Sequence, residues 1–152
     1  MEWYLSNPEL LEKEKLEMKK YFPNFTLDKL EDGRLYWMGE LNPGIYETKF
    51  GVKKTYTVMA VYNNNHPEQV MGTSVIVYPI LPDIGDIINE CGFIPRGLLR
   101  DSSDNLYPCL SSADLGTKSD LISILARAVK WFCGLELVLT GDIDAEEFNR
   151  KI

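Results

Sequence analysis

Three cysteines and a single histidine are the side chains of this chain best able to make and break covalent bonds. Cys109 sits in the run Asp101-Ser102-Ser103-Asp104-Asn105-Leu106-Tyr107-Pro108-Cys109-Leu110, whose Asp, Ser, Asn and Pro residues predict a loop. A thiol presented there can attack an activated carbonyl and hold the acyl group as a thioester. The competing role is a small buried side chain, because free cysteine is among the most buried residue types. No basic residue adjoins Cys109, which counts against chemistry of the cysteine-protease type. Thioester carriage makes a smaller demand, since the incoming acyl group is already activated.

The other candidates are weaker. Cys133 falls beside the apolar face of a predicted helix and reads as a core thiol, and no motif surrounds Cys91. His66, in Asn65-His66-Pro67, most simply serves a turn. A cysteine hydrolase would need it beside a thiol and oriented by a third group. No C-x-x-C pair supports zinc, and no Gly-rich phosphate loop is present, so neither a metal nor a cofactor is expected.

These residues must be positioned by a regular scaffold. A helix is expected from Pro8, capped by Ser6 or Asn7 and ended by Pro23, with Leu11, Met18 and Phe22 along one stripe. Strands are expected from Phe25 to Leu30 and Arg34 to Leu41 around the turn Asp32-Gly33, then from Thr55 to Tyr62 and Thr73 to Tyr78. The last of these is nearly continuous in apolar residues, which predicts cover on both faces or a place at the sheet centre. From Pro79 to Lys118 periodicity is lost, and that stretch is expected to be irregular and functional. The longest helix follows, capped by Ser119 or Thr117. It carries Leu121, Leu125, Ala128, Phe132, Leu135 and Leu139 on one face and ends at Gly141. Asp144 to Lys151 adds one or two helical turns. Together these make a single α+β domain over residues 1–152, a four-stranded antiparallel meander between two flanking helices.

With 23 acidic and 16 basic residues the net charge is −7, which disfavours nucleic acid as a partner. No leader or membrane span is evident, so the expected compartment is the cytoplasm, with reduced thiols and no membrane partner.

Over about two thirds of the chain the order of motifs resembles the ubiquitin-conjugating enzyme family. Leu35-Tyr36-Trp37-Met38-Gly39-Glu40-Leu41 is similar to its W-x-G strand. Tyr56-Thr57-Val58-Met59-Ala60-Val61-Tyr62 is similar to its tyrosine-led strand, His66-Pro67 to its Y-P turn and Ser74-Val75-Ile76-Val77-Tyr78-Pro79 to the next strand. Asn105-Leu106-Tyr107-Pro108-Cys109-Leu110 resembles the ending that carries the cysteine. Trp131 on the last helix and the step Thr140-Gly141 are similar to divergent bacterial members found in CBASS anti-phage operons. The family's His-Pro-Asn motif is absent, and Ile94-Pro95-Arg96 stands near its place.

The resemblance implies a ubiquitin-conjugating-type acyltransferase. Cys109 would accept the C-terminus of a cGAS-like nucleotidyltransferase or a ubiquitin-like protein as a thioester, with or without a separate activating enzyme. It would then pass that acyl group to an amine on a target protein. Asp101 or Asp104 would take the amine's proton, and Arg96, Asn105 or backbone N–H groups near Leu110 would stand in for the missing asparagine. The alternative is a non-catalytic protein-interaction domain of the same fold.

Overall fold

A computed structural model describes residues 2–44, 47, 49, 51, 54–69, 72–111 and 118–151, with residue 151 described by its backbone only. The chain starts with a single helical turn, α1 (Trp3–Ser6), and the helix α2 (Pro8–Tyr21). Asn7 caps α2 by accepting the Leu10 N–H at 3.3 Å, and Pro8 occupies the first turn, where its missing N–H costs nothing.

Four strands follow, β1 (Thr26–Lys29), β2 (Leu35–Leu41), β3 (Tyr56–Tyr62) and β4 (Val75–Leu81), paired antiparallel in sequence order. Gly33 turns β1 into β2 at φ +95, and Gly39 admits the Phe25 ring, which would lie 2.6 Å from any Cβ added there. Period-2 alternation directs Trp37, Ala60 and Val77, which are register partners, to one buried face.

The longest helix, α4 (Leu121–Thr140), crosses that face with Leu121, Leu125, Ala128 and Phe132 buried, and Phe132 stacks on Tyr56 at 4.7 Å. Asp120 caps it, accepting from the Ser123 N–H at 2.9 Å, and Gly141 ends it at φ +83. Ser119 therefore lies one residue before the cap, and Thr117 lies outside the described residues. The final helix, α5 (Ala145–Lys151), is fastened by Phe148 against Trp131 and Phe93.

Helices α2 and α4 precede and follow the meander as expected, and both pack on its inner face: Glu14 of α2 reaches Tyr62 and Glu136 of α4 reaches Tyr56, and both tyrosines belong to that face. One expectation is corrected: the stretch 79–118 is not without regular structure. It contains α3 (Ile84–Cys91), capped by Asp83 and closed by Gly92 at φ +75, and a hairpin of β5 (Leu98–Arg100) and β6 (Leu106–Pro108). Strand β4 also runs past Tyr78 to Leu81. Pro79 is tolerated because β4 is an edge strand and the register shifts beside it. The hairpin packs on the outer face of the sheet, where the Tyr78 and Tyr107 rings meet at 5.6 Å. Strand β4 is thus not at the sheet centre but at its edge, and the second cover expected for it is supplied in part, by a hairpin.

Candidate functional site

Antiparallel pairing of β5 with β6 sets where the thiol stands. Leu98 opposes Pro108, so the next pair outward, Gly97 and Cys109, meets at the open end of the hairpin. The Cys109 N–H donates to the Gly97 carbonyl at 2.7 Å. Gly97 holds φ +79, a left-handed conformation suited to glycine. On the other side of the thiol, Leu110 is buried and its carbonyl accepts from Arg127 Nε at 2.7 Å. The backbone of Cys109–Leu110 is thereby held by the hairpin and by α4 together, while the Cys109 side chain is exposed. Its sulfur lies 3.2 Å from Ser111 Oγ. A cavity of about 70 Å³ adjoins the thiol, and Asn63, Thr73, Leu99 and Tyr107 are among the residues that line it.

The other residues expected at the site fall elsewhere. Asp101, Asp104 and Asn105 form the β5–β6 turn, at the opposite end of the hairpin, with Asn105 about 13 Å from Cys109 across the strand between them. Asp101 is spent on that turn. Its carboxylate accepts the Ser103 and Asn105 N–H groups at 2.8 and 2.9 Å and the Asn105 amide at 3.1 Å. The Asn105 N–H, then the Asn105 amide, the Ser103 N–H and the Tyr78 hydroxyl, hold the Asp101 carboxyl below its ordinary range. Asp104 is 86% exposed and 4.0 Å from Arg100. Arg96 is exposed next to Gly97, and its backbone N–H donates to Asn149 Oδ1 at 2.8 Å. Of the residues named from sequence, only Arg96 is a near neighbour of the Gly97–Cys109 clamp.

Four residues around the Cys109–Leu110 step escaped the sequence reading: Asn63 and Thr73 in the cavity, Ser111 beside the sulfur, and Arg127 on the Leu110 carbonyl. Asn63 belongs to the run Asn63-Asn64-Asn65, whose sequence signal is a turn, and nothing in the sequence ties Arg127 to Leu110.

His66 is far from a hydrolase role. It is buried, with Nδ1 2.7 Å from Ser74 Oγ and Nε2 2.9 Å from Glu14 Oε1. A serine, a histidine and a glutamate in line have the composition of a hydrolytic triad, but Ser74 and Glu14 are each 0% exposed, so no substrate reaches them. Glu14 also accepts the Tyr62 hydroxyl at 2.9 Å and the Leu121 N–H at 2.8 Å. The group is a buried polar junction that ties α2, the sheet and the start of α4 together, with both His66 nitrogens partnered to oxygen.

Cys133 is buried, and burial, aided by Glu136, pushes its thiol up to about 11. Burial likewise raises the partly covered Cys91. Among the described residues no three His, Cys, Asp or Glu side chains converge to hold a metal ion, and no helix is long and apolar enough to cross a membrane. No protein-family model, curated protein or solved structure matches this chain.

Proposed function

We propose that Cys109 carries an acyl group as a thioester and passes it to an amine, in the manner of the ubiquitin-conjugating enzymes whose motif order the chain resembles. The observation that supports this most is the placement of the thiol. Of the three cysteines, Cys109 is exposed on a backbone clamped by Gly97 and Arg127, Cys91 is half-covered and Cys133 is buried. In the forward step the Cys109 sulfur attacks the carbonyl carbon of an activated C-terminal carboxyl. The activating group leaves, and the thiol proton passes to solvent. An amine then attacks the thioester carbonyl, an amide forms, and the sulfur departs as a thiolate that takes up a proton. A cGAS-like nucleotidyltransferase or a ubiquitin-like protein as donor, a role in bacterial anti-phage defence and a cytoplasmic setting rest on the sequence resemblance.

The test is co-expression with a candidate donor, a cGAS-like nucleotidyltransferase or a ubiquitin-like protein, with masses read before and after thiol reductant. Wild type is expected to yield a reductant-sensitive adduct, and Cys109→Ser a reductant-resistant ester, because an oxygen ester survives thiols. Cys109→Ala is expected to yield none, with Cys91→Ala and Cys133→Ala unaffected. Equal conjugation by Cys109→Ala would transfer the assignment to the second reading, a protein-interaction domain of the same fold. One observation favours that second reading: both candidate carboxylate bases, Asp101 and Asp104, stand at the far end of the hairpin from the thiol.

A further inference from the structure

The β5–β6 hairpin borders two depressions. The small cavity at its open end belongs to Cys109, and a groove of about 530 Å³ lies at its turn. The floor of the groove is the outer face of the sheet, with Met59 and Val61 of β3 and Tyr78 and Ile80 of β4. Leu30 and Arg34 of the β1–β2 turn, Asp83 and Ile84 at the start of α3, and the hairpin turn complete it.

The charges around this apolar floor are unequal. Arg34 is paired with Asp32 at 2.9 Å, and Asp104 stands 4.0 Å from Arg100. Asp83 and Asp101 make no ion pair among the described residues. The contacts of Asp83 are the N–H groups of Gly85 and Asp86, and those of Asp101 are backbone N–H groups, an amide and a phenol. Two carboxylates without a counter-charge therefore rim a sheet face whose Met59, Tyr78 and Ile80 side chains reach solvent. Asp83 does so with an exposed carboxylate and Asp101 through its charge, its oxygens being held by the turn. A carboxylate rim repels phosphates and acidic headgroups and attracts a cation, and the chain's net charge of −7 favours a cationic partner from a distance.

We infer that this groove docks an extended peptide segment of a partner protein in which a lysine or arginine is flanked by aliphatic side chains. The aliphatic groups cover Met59, Tyr78 and Ile80, and the cation meets the exposed Asp83 carboxylate, with the charge of Asp101 beside it. The inference goes beyond acyl transfer and stands without it, because neither aspartate lines the Cys109 cavity.

Direct binding tests it, using the whole chain and short fluorescein-labelled peptides with a leucine pair flanked by lysines, glutamines or glutamates. Fluorescence anisotropy is expected to give the lysine peptide at least about tenfold tighter binding than the glutamate peptide, with the difference shrinking between about 50 mM and about 500 mM salt. Amide NMR shifts are expected at Leu30, Val61 and Asp101. Asp83→Asn keeps an N-cap, since asparagine caps helices as well as aspartate does, and is expected to weaken the lysine peptide about threefold or more. Ile80 is 41% exposed, so Ile80→Lys spares the core and is expected to abolish binding. Cys109→Ala is expected to bind as wild type does, which separates this result from the fate of the thioester. Equal binding of all three peptides, no binding, or shifts mapping elsewhere would overturn the inference. So would a concentration-dependent dimer with its shifts in the groove, which would make the occupant a second copy of this chain.

Discussion

Gly97 and Cys109 are joined at the open end of the β5–β6 hairpin by a 2.7 Å hydrogen bond from the Cys109 N–H to the Gly97 carbonyl, and a Cβ on Gly97 would lie 3.4 Å from the Cys109 Cβ. That spacing is ordinary van der Waals contact, so an alanine there meets strain from φ +79 rather than a clash. Gly97→Ala is expected to cost about 1–2 kcal/mol in urea unfolding. It is also expected to lower the yield of Cys109 adduct at unchanged protein concentration. An unchanged unfolding midpoint would mean that the open end of the hairpin relaxes freely.

Asp101 and Asp104 separate a structural role from an idle one. Asp101→Ala removes the acceptor of the hairpin turn and is expected to lower the melting temperature. It is also expected to lower the Tyr78 phenol from about 12, where burial, aided by the Asp101 hydrogen bond and charge, now holds it. Asp104→Asn leaves both unchanged, because Asp104 is exposed and asparagine accepts its φ of +65. NMR of ring-labelled tyrosine across alkaline pH, with a thermal melt, reads both outcomes.

Glu14 has its carboxylate filled by Tyr62, His66 and the first N–H of α4. Glu14→Ala strands those donors in a dry interior and is expected to destabilise the fold by about 3–5 kcal/mol. Glu14→Gln keeps the shape and one accepting oxygen, while its amide nitrogen faces a donor, so it is expected to cost less than Glu14→Ala but to remain destabilising. Urea denaturation of the two variants side by side gives the comparison, and equal losses would show that the junction needs both accepting oxygens of the carboxylate.

Cys133 supplies a pH test. Its thiol is raised from an ordinary value of 9.0 to about 11 by burial and then by Glu136. A group raised in the folded state contributes stability that is fully present below the unfolded value and is lost as pH rises through the folded one. Stability is therefore expected to fall between pH 9 and about 11. Cys133→Ala is expected to flatten part of that slope while lowering stability near neutrality through the cavity it leaves. Urea unfolding at a series of alkaline pH values checks the sign, and a slope unchanged in the variant would assign the loss to other groups.

Local chemistry alone determined much of this protein. Asn7-Pro8 starts α2, Asp32-Gly33 turns the first hairpin, and the apolar stripe from Leu121 with Gly141 beyond it sets α4, because caps, turns and helical periodicity act over a few residues. The same locality separated exposed Cys109, in a run of turn formers, from buried Cys133 on an apolar helix face. Tertiary structure decided what distance in sequence hides. The elements α3, β5 and β6 are only eight, three and three residues long, too short to show a period and dependent on packing against β4 and α4. The antiparallel register of β5 and β6 carried Asp101, Asp104 and Asn105 away from the thiol that they precede by a few residues, and brought Gly97 to it. The junction at Glu14 joins groups 52 and 107 positions apart, to His66 and Leu121. A buried carboxylate is tolerated only where the folded chain brings it enough donors, and no local pattern records which donors those will be.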